Sequence, residues 1–296
     1  MKKKIGIHWF RNDLRTIDNP SLNYLSKNYD NVLGIYIFDE VNSDPKLGSA
    51  SKVWLNYSLE YLKKQLNGNL IILKGNPKEC LEELIDFFDV QEISWNRCYE
   101  PWMIKRDKSL KIYLNEKIKV NSFNGSLLWE PWEILKNDGT PYKIFTPFYK
   151  RGCLSAPNPR VPKSEKINFF NHNFRLTNVA DLDLLKNKKW EDQILSQWKV
   201  GEDTSIEIMK SFFKHGVQNY SEGRNFPNKK NVSRLSPYLH WGQISPNSLW
   251  YEVNSLKDVK DNDVEVFKSE LGWREFAYYL LYHFPYIQRE NLKSSF

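Results

Sequence analysis

An α/β fold is predicted: a doubly wound, mostly parallel five-stranded sheet, then a basic linker, then an all-helical part. Three observations carry this. Up to about residue 135, short β-branched or apolar runs alternate with amphipathic helical patterns, the signature of an open α/β sheet. From about Asp138 to Trp198 the periodicity fades, and Pro, Asn and Lys dominate. After Gly201 only helical patterns return. The expected units are therefore 1–135, 136–199 and 200–296.

Five runs read as strands: KIGIHWF (4–10), VLGIYIF (32–38), NLIILKG (69–75), EISWN (92–96) and KVNSFN (119–124). Helical patterns between them begin near Pro20, Ser51, Pro77 and Met103. In such sheets ligands sit beyond the carboxyl ends of the strands, which places Phe10-Arg11-Asn12-Asp13, Phe38-Asp39 and Asn96-Arg97 at one edge. Neither GxGxxG nor a P-loop occurs, which argues against an NAD site or a Walker-type NTPase.

The chain has 296 residues, and 15% of them are aromatic, with 11 Trp, 16 Tyr and 17 Phe. Such rings either fill a core or line a site that stacks on, or exchanges electrons with, planar ligands. Cys80, Cys98 and Cys153 form no CxxC pair, and the five histidines have no metal-ligand spacing, so no metal site is expected. No apolar run approaches transmembrane length and the basic start reaches charged residues too soon for a signal peptide, so a cytoplasmic protein is expected.

The net charge of +7 is uneven. Residues 1–140 hold 20 Lys/Arg against 19 Asp/Glu, residues 141–199 hold 11 against 5, and residues 200–296 hold 12 against 12. Basicity is concentrated in KIFTPFYKRGCLSAPNPRVPKSEK and NKKW, which reads either as an extended solvated linker or as a flank that contacts nucleic-acid phosphates.

In the last helical pattern Glu270, Trp273 and Arg274 stand at i, i+3 and i+4, so they share a face. The plain reading is a Glu270–Arg274 surface ion pair beside a core tryptophan. Tyr220 and Arg224 lead into FPNKKNVSRLS, where lysines, serines and Arg234 meet the start of a helix suited to an anion, although Ser233 suffices as a helix cap. The stretch SRLSPYLHWGQISPNSLW fits a phosphate collar or a helix-turn-helix hinged at Gly242. Its second helix, PNSLWYEVN, offers few base-reading side chains.

Together these segments resemble the DNA photolyase and cryptochrome family. HWFRNDLRTIDNPSL (8–22), WNRCYEPW (95–102), GED (201–203), YSEGRNFP (220–227), SRLSPYLHWGQISP (233–246) and WREFAYYLLYHFP (273–285) carry the resemblance in the family's order. It implies that the helical part belongs to a flavin domain, incomplete in this chain, whose remainder a separate chain supplies if this is a split protein. Tyr220, Ser233, Leu235 and Ser236 match its FAD-phosphate contacts, and Arg274 matches a residue beside the flavin. Glu270 and Trp273 match the catalytic, substrate-side acid and ring; with Arg224 they form the DNA-binding mouth. The implied reaction is light-driven repair of cyclobutane pyrimidine dimers in DNA by electron transfer from reduced FAD. A partly desolvated Glu270 that stays protonated would donate a hydrogen bond to a base carbonyl. The resemblance also allows a cryptochrome-type light sensor, a non-enzymatic fragment, and a second antenna chromophore of unspecified identity. Asn225, Val232 and Ala277 depart from the family's usual residues.

Overall fold

The computed structural model describes residues 4–174, 178–186, 188–293 and 295. The first three residues of MKKKIGIHWF and Asn187 of NKKW lie outside them.

All five expected strands form: β1 Ile5–Phe10, β2 Asn31–Phe38, β3 Leu70–Lys74, β4 Val90–Asn96 and β5 Lys119–Phe123. Their order is β3-β2-β1-β4-β5 and every pairing is parallel, where a mostly parallel sheet was expected. Ile5 pairs with Asn31 on one side and Val90 on the other, so β1 is central and the order reverses beside it. That reversal opens a crevice past the carboxyl ends of β1 and β4.

The crossovers are α1 Pro20–Asn28, α2 Ser49–Gln65, α3 Pro77–Phe87 and α4 Pro101–Leu114. Asn19 and Asn76 cap α1 and α3 through the amides of Leu22 and Lys78, with proline in the first turn, where its missing N–H costs nothing. Alternation along the strands divides the core. Ile5, Ile7 and Trp9 face Leu81, Leu84, Leu110 and Leu114 of α3 and α4. Phe10, Tyr36 and Phe38 belong to a second core that runs through Trp54 and Leu59 of α2 into the helical part, reaching Phe212, Leu249, Phe267 and Leu271.

The connector is neither extended nor merely solvated, which corrects that expectation. It contains α5 Phe145–Pro147, a π-helical turn Phe148–Gly152, 3-10 turns at Cys153–Ser155 and Val179–Leu182, and α6 Lys188–Gln197. Phe148, Tyr149, Cys153, Val179 and Leu182 are buried in the shared core. Its backbone also pairs with β2, where the Val32 amide donates to Asn168 O at 3.0 Å and the Phe170 amide to Val32 O at 2.8 Å.

The helical part comprises α7 Glu202–His215, α8 Tyr220–Gly223, α9 Ser236–His240, α10 Pro246–Asn254 and α11 Asp261–His283. Two buried side chains weld it to the sheet unit. Arg15 donates to the carbonyls of Gly242 (3.0 Å), Gly125 (2.7 Å), Asp18 and Ile17. Glu202, at the start of α7, accepts from the amides of Thr16 (2.9 Å) and Ile17 (2.7 Å).

The helix-turn-helix reading fails on packing. Gly242 does turn the chain, with φ +65°, but a Cβ there would lie 2.2 Å from Asn12 O. The turn is therefore pressed onto the sheet unit, and α10 buries Pro246, Asn247, Leu249, Trp250 and Val253, leaving no helix free to enter a groove. Among the described residues no helix is long and apolar enough to cross a membrane, and no His/Cys/Asp/Glu group is arranged to hold a metal.

Candidate nucleotide and flavin site

Two regions concentrate polar chemistry. At the crevice beyond β1 and β4, His8 Nδ1 meets Ser21 Oγ at 2.8 Å, and its Nε2 lies 3.3 Å from Asp13 Oδ2. Asn96 Nδ2 donates to Asp13 Oδ2 at 2.6 Å and to Asn19 Oδ1 at 2.7 Å. Complete burial pushes the His8 imidazolium below its usual range despite Asp13. Burial also opposes charge on Asp13, but hydrogen bonds from His8 and the Arg11 amide hold its carboxyl well below the usual carboxylate range. These groups saturate one another, so the network fixes the first loop and leaves little for a ligand.

The second region lies along α8 and α11. Asp263, buried in the first turn of α11, accepts from the amides of Asn219 (2.9 Å) and Ser221 (2.8 Å) and from Ser221 Oγ (2.7 Å). This clamps the four-residue α8 onto α11. Two helical turns along α11 from Asp263, Glu270 pairs with Arg224, whose guanidinium lies 5.5 Å from the Tyr220 ring centre. The expected Glu270–Arg274 pair does not form, because Glu270 has this long-range partner. The Glu270 side chain is 34% exposed and faces a guanidinium.

Arg274 donates instead to Ser126 O (2.8 Å) and Glu275 Oε1 (3.1 Å), and lies over Tyr278. It is thereby turned toward the sheet unit, although its charge still reaches His240 of the serine-rich stretch, whose imidazolium burial mainly disfavours. Glu275 is a further buried carboxyl that sequence reasoning missed. It accepts from the amides of Leu128 (2.8 Å) and Trp129 (3.4 Å). Burial pushes it up to about 7, against the pull of Arg274 and the two amides.

Trp273 is not a core residue. It is 49% exposed, and Phe145 stacks on it with ring centres 3.6 Å apart and planes 12° apart. Phe145 was read as part of the basic connector; the ring spacing in FTPFY, at i, i+3 and i+4, was the available signal of a packed face.

Asn231 carries the serine-rich stretch past α8. Its Nδ2 donates to Gly216 O and Gln218 O, both at 2.8 Å, and it crosses so close to Gly223 that a Cβ there would lie 2.3 Å from Asn231 Oδ1. Beyond it, Arg234 adopts φ +55° and lies 4.0 Å from the Trp198 ring centre, Ser233 Oγ accepts a long 3.4 Å bond from the Leu235 amide, and Ser236 opens α9 exposed. Ser233 and Ser236 thus offer two hydroxyls at the entry to α9, with the Leu235 amide between them. The donor set suits a phosphate. Val232, 51% exposed, adds no hydroxyl.

With that geometry in view, the comparisons are specific. The model of the family described as DNA photolyase matches residues 6–165. The chain belongs to the DNA photolyase family. It is 34% identical over 308 aligned residues to a deoxyribodipyrimidine photo-lyase of Agrobacterium fabrum, spanning 98% of this chain and 62% of that protein. The crystal structure of a bacterial class III photolyase from Agrobacterium tumefaciens superposes with a TM-score of 0.94 at 32% identity, covering 100% of this chain and 62% of that one. Cryptochrome-1 of Arabidopsis thaliana is 28% identical over 97% of this chain and 44% of its own length. This family member thus spans less than two thirds of each of these relatives.

Proposed function

We propose that this photolyase-family chain serves light-driven repair of cyclobutane pyrimidine dimers in DNA, with FAD as cofactor. The observation that carries the reading is the half-open face of Trp273, one helical turn from the Arg224–Glu270 pair on the same side of α11. A flat base lifted from the duplex can lie on that indole. Arg224, which follows the short α8, is placed to leave Glu270 for a backbone phosphate, which frees the carboxyl to hydrogen-bond the base.

The donors of Ser233, Leu235 and Ser236 suit the FAD phosphates, and Tyr220, packed on Phe212 and Phe267, completes the set. Arg274 fits less well, since its hydrogen bonds go to Ser126 and Glu275. Reduced FAD, when bound, supplies a light-excitable one-electron donor. The residues of this chain hold its phosphates, stack the base and gather the DNA strand.

What favours repair over cryptochrome-type sensing is the joint presence of Trp273 and Glu270 at an open surface. A second chromophore has room in two clefts at the carboxyl edge of the sheet. One, of about 200 Å³, involves Tyr36, Asp39 and Arg106, and a wider one, of about 810 Å³, involves Trp102, Tyr113 and Tyr286.

The test is an absorption spectrum after FAD reconstitution and desalting, followed by illumination with UV-irradiated oligothymidylate. Retained flavin bands and light-dependent loss of dimers are expected. A colourless protein that gains flavin only when a relative's C-terminal segment is added would reduce the chain to a component of the repair machinery. Repair unaffected by Trp273→Leu would remove the base platform from the reading.

A further inference from the structure

We propose that Phe145 is a positioning residue that holds the Trp273 indole as a base platform; this deepens the repair reading and rests on it. Three rings form a ladder seated on α11. Tyr149 lies against the helix backbone at Gly272, where a Cβ would come within 2.6 Å of its ring. Phe145 stacks on Tyr149 with centres 5.5 Å apart and planes 9° apart, and Trp273 stacks on Phe145 at 3.6 Å and 12°. Phe276 meets Trp273 edge-on at 6.1 Å, with planes 70° apart.

One indole face and one edge are thus covered, yet Trp273 as a whole remains 49% exposed. Without Phe145 the indole would have rotamers to choose among, and stacking a base would have to freeze them. With it, the plane is set before the base arrives. The adjoining side chains suit a nucleic-acid strand: Lys143, Lys150 and Arg151, from the same KIFTPFYKR stretch, are exposed and cationic.

The contrary reading of the same contact is that Phe145 plugs the platform, occupying the face a base would use. The two readings give opposite signs. Binding of UV-irradiated oligothymidylate, in the dark, should be compared for the unaltered chain, Trp273→Leu, Phe145→Leu, Phe145→Tyr and the double Phe145→Leu/Trp273→Leu variant, with thermal melts to establish that each is folded. Phe145→Leu is expected to weaken binding roughly 5- to 20-fold, within the range of one base-stacking contact. Phe145→Tyr should restore it, and the double variant should bind no worse than Trp273→Leu alone.

Undiminished binding by Trp273→Leu, or no binding by the unaltered chain, would sink the repair reading and this inference together. A Trp273→Leu loss combined with unchanged or tighter binding by Phe145→Leu would overturn only the positioning role. An equal defect in Phe145→Tyr, or one that persists without Trp273, would do the same by showing that Phe145 acts on the fold at large.

Discussion

Two polar clusters of this chain use similar side chains to opposite ends. Beyond β1 and β4, His8, Asp13, Asn19, Ser21 and Asn96 are buried and partner one another. Along α11, Arg224 and Glu270 have one close ionic partner each and stay 29% and 34% exposed, with Trp273 open beside them. In the first cluster hydrogen bonds close inward and specify architecture. In the second they leave capacity toward solvent, which is what a ligand needs. Composition alone does not separate the two, because HWFRNDLR looks as reactive as WREF. Burial and the direction of the bonds do.

The sharpest break of that contrast is in the closed region. Arg15→Ala strips several buried carbonyls of their donor at once and is expected to cost about 3–5 kcal/mol, read by urea unfolding. Arg15→Lys should recover little of this, because one ammonium cannot serve that fork. If Arg15→Ala melts like the unaltered chain, the weld between the two units is not where these bonds place it.

Glu275 offers a pH readout. Its folded value, about 7, lies above that of a free glutamate, so the folded state binds the extra proton between roughly pH 4.5 and 7. Stability from this group is therefore present at low pH and lost as pH rises through 7, by at most about 3 kcal/mol. Glu275→Gln should flatten that fall in a comparison of unfolding between pH 5 and 8. An unchanged slope would assign it to other groups.

Asp263→Ala unclamps α8 and should cost about 1–3 kcal/mol while weakening DNA binding through misplaced Arg224. A stability loss with binding intact would separate the clamp from the site. The smallest effect belongs to the open cluster: a double-mutant cycle on Arg224 and Glu270 should show less than about 1 kcal/mol of coupling in stability, falling with salt, because both side chains are partly solvated. Strong coupling would mark the pair as structural and move it to the closed class.

The sheet was legible because strand alternation and Pro-started helices are local signals, and β1 to β5 fall within two residues of their expected bounds. Other features depend on distant partners. Glu270 was paired with Arg274 by helical spacing, but α8 brings Arg224 closer. The FTPFY rings looked like linker until α11 supplied Gly272 and Trp273 for them to stack on. α6 was missed because KKWEDQILSQ is mostly polar and sits in a stretch read as connector. The serine-rich stretch was ambiguous for the same reason: what excludes a free second helix, the packing of Gly242 on Asn12, lies about 230 residues away in the chain.

The Arg15–Gly242 bond also has a consequence for biosynthesis. Its ends are 227 residues apart, so at ordinary translation speeds the guanidinium waits about 10–45 s for that acceptor to be synthesised. Throughout that interval Arg15 has only its earlier acceptors, Ile17, Asp18 and Gly125, and the first loop lacks the bond that ties it to the helical part. The late-made helices therefore complete the maturation of the earliest-made part of the chain.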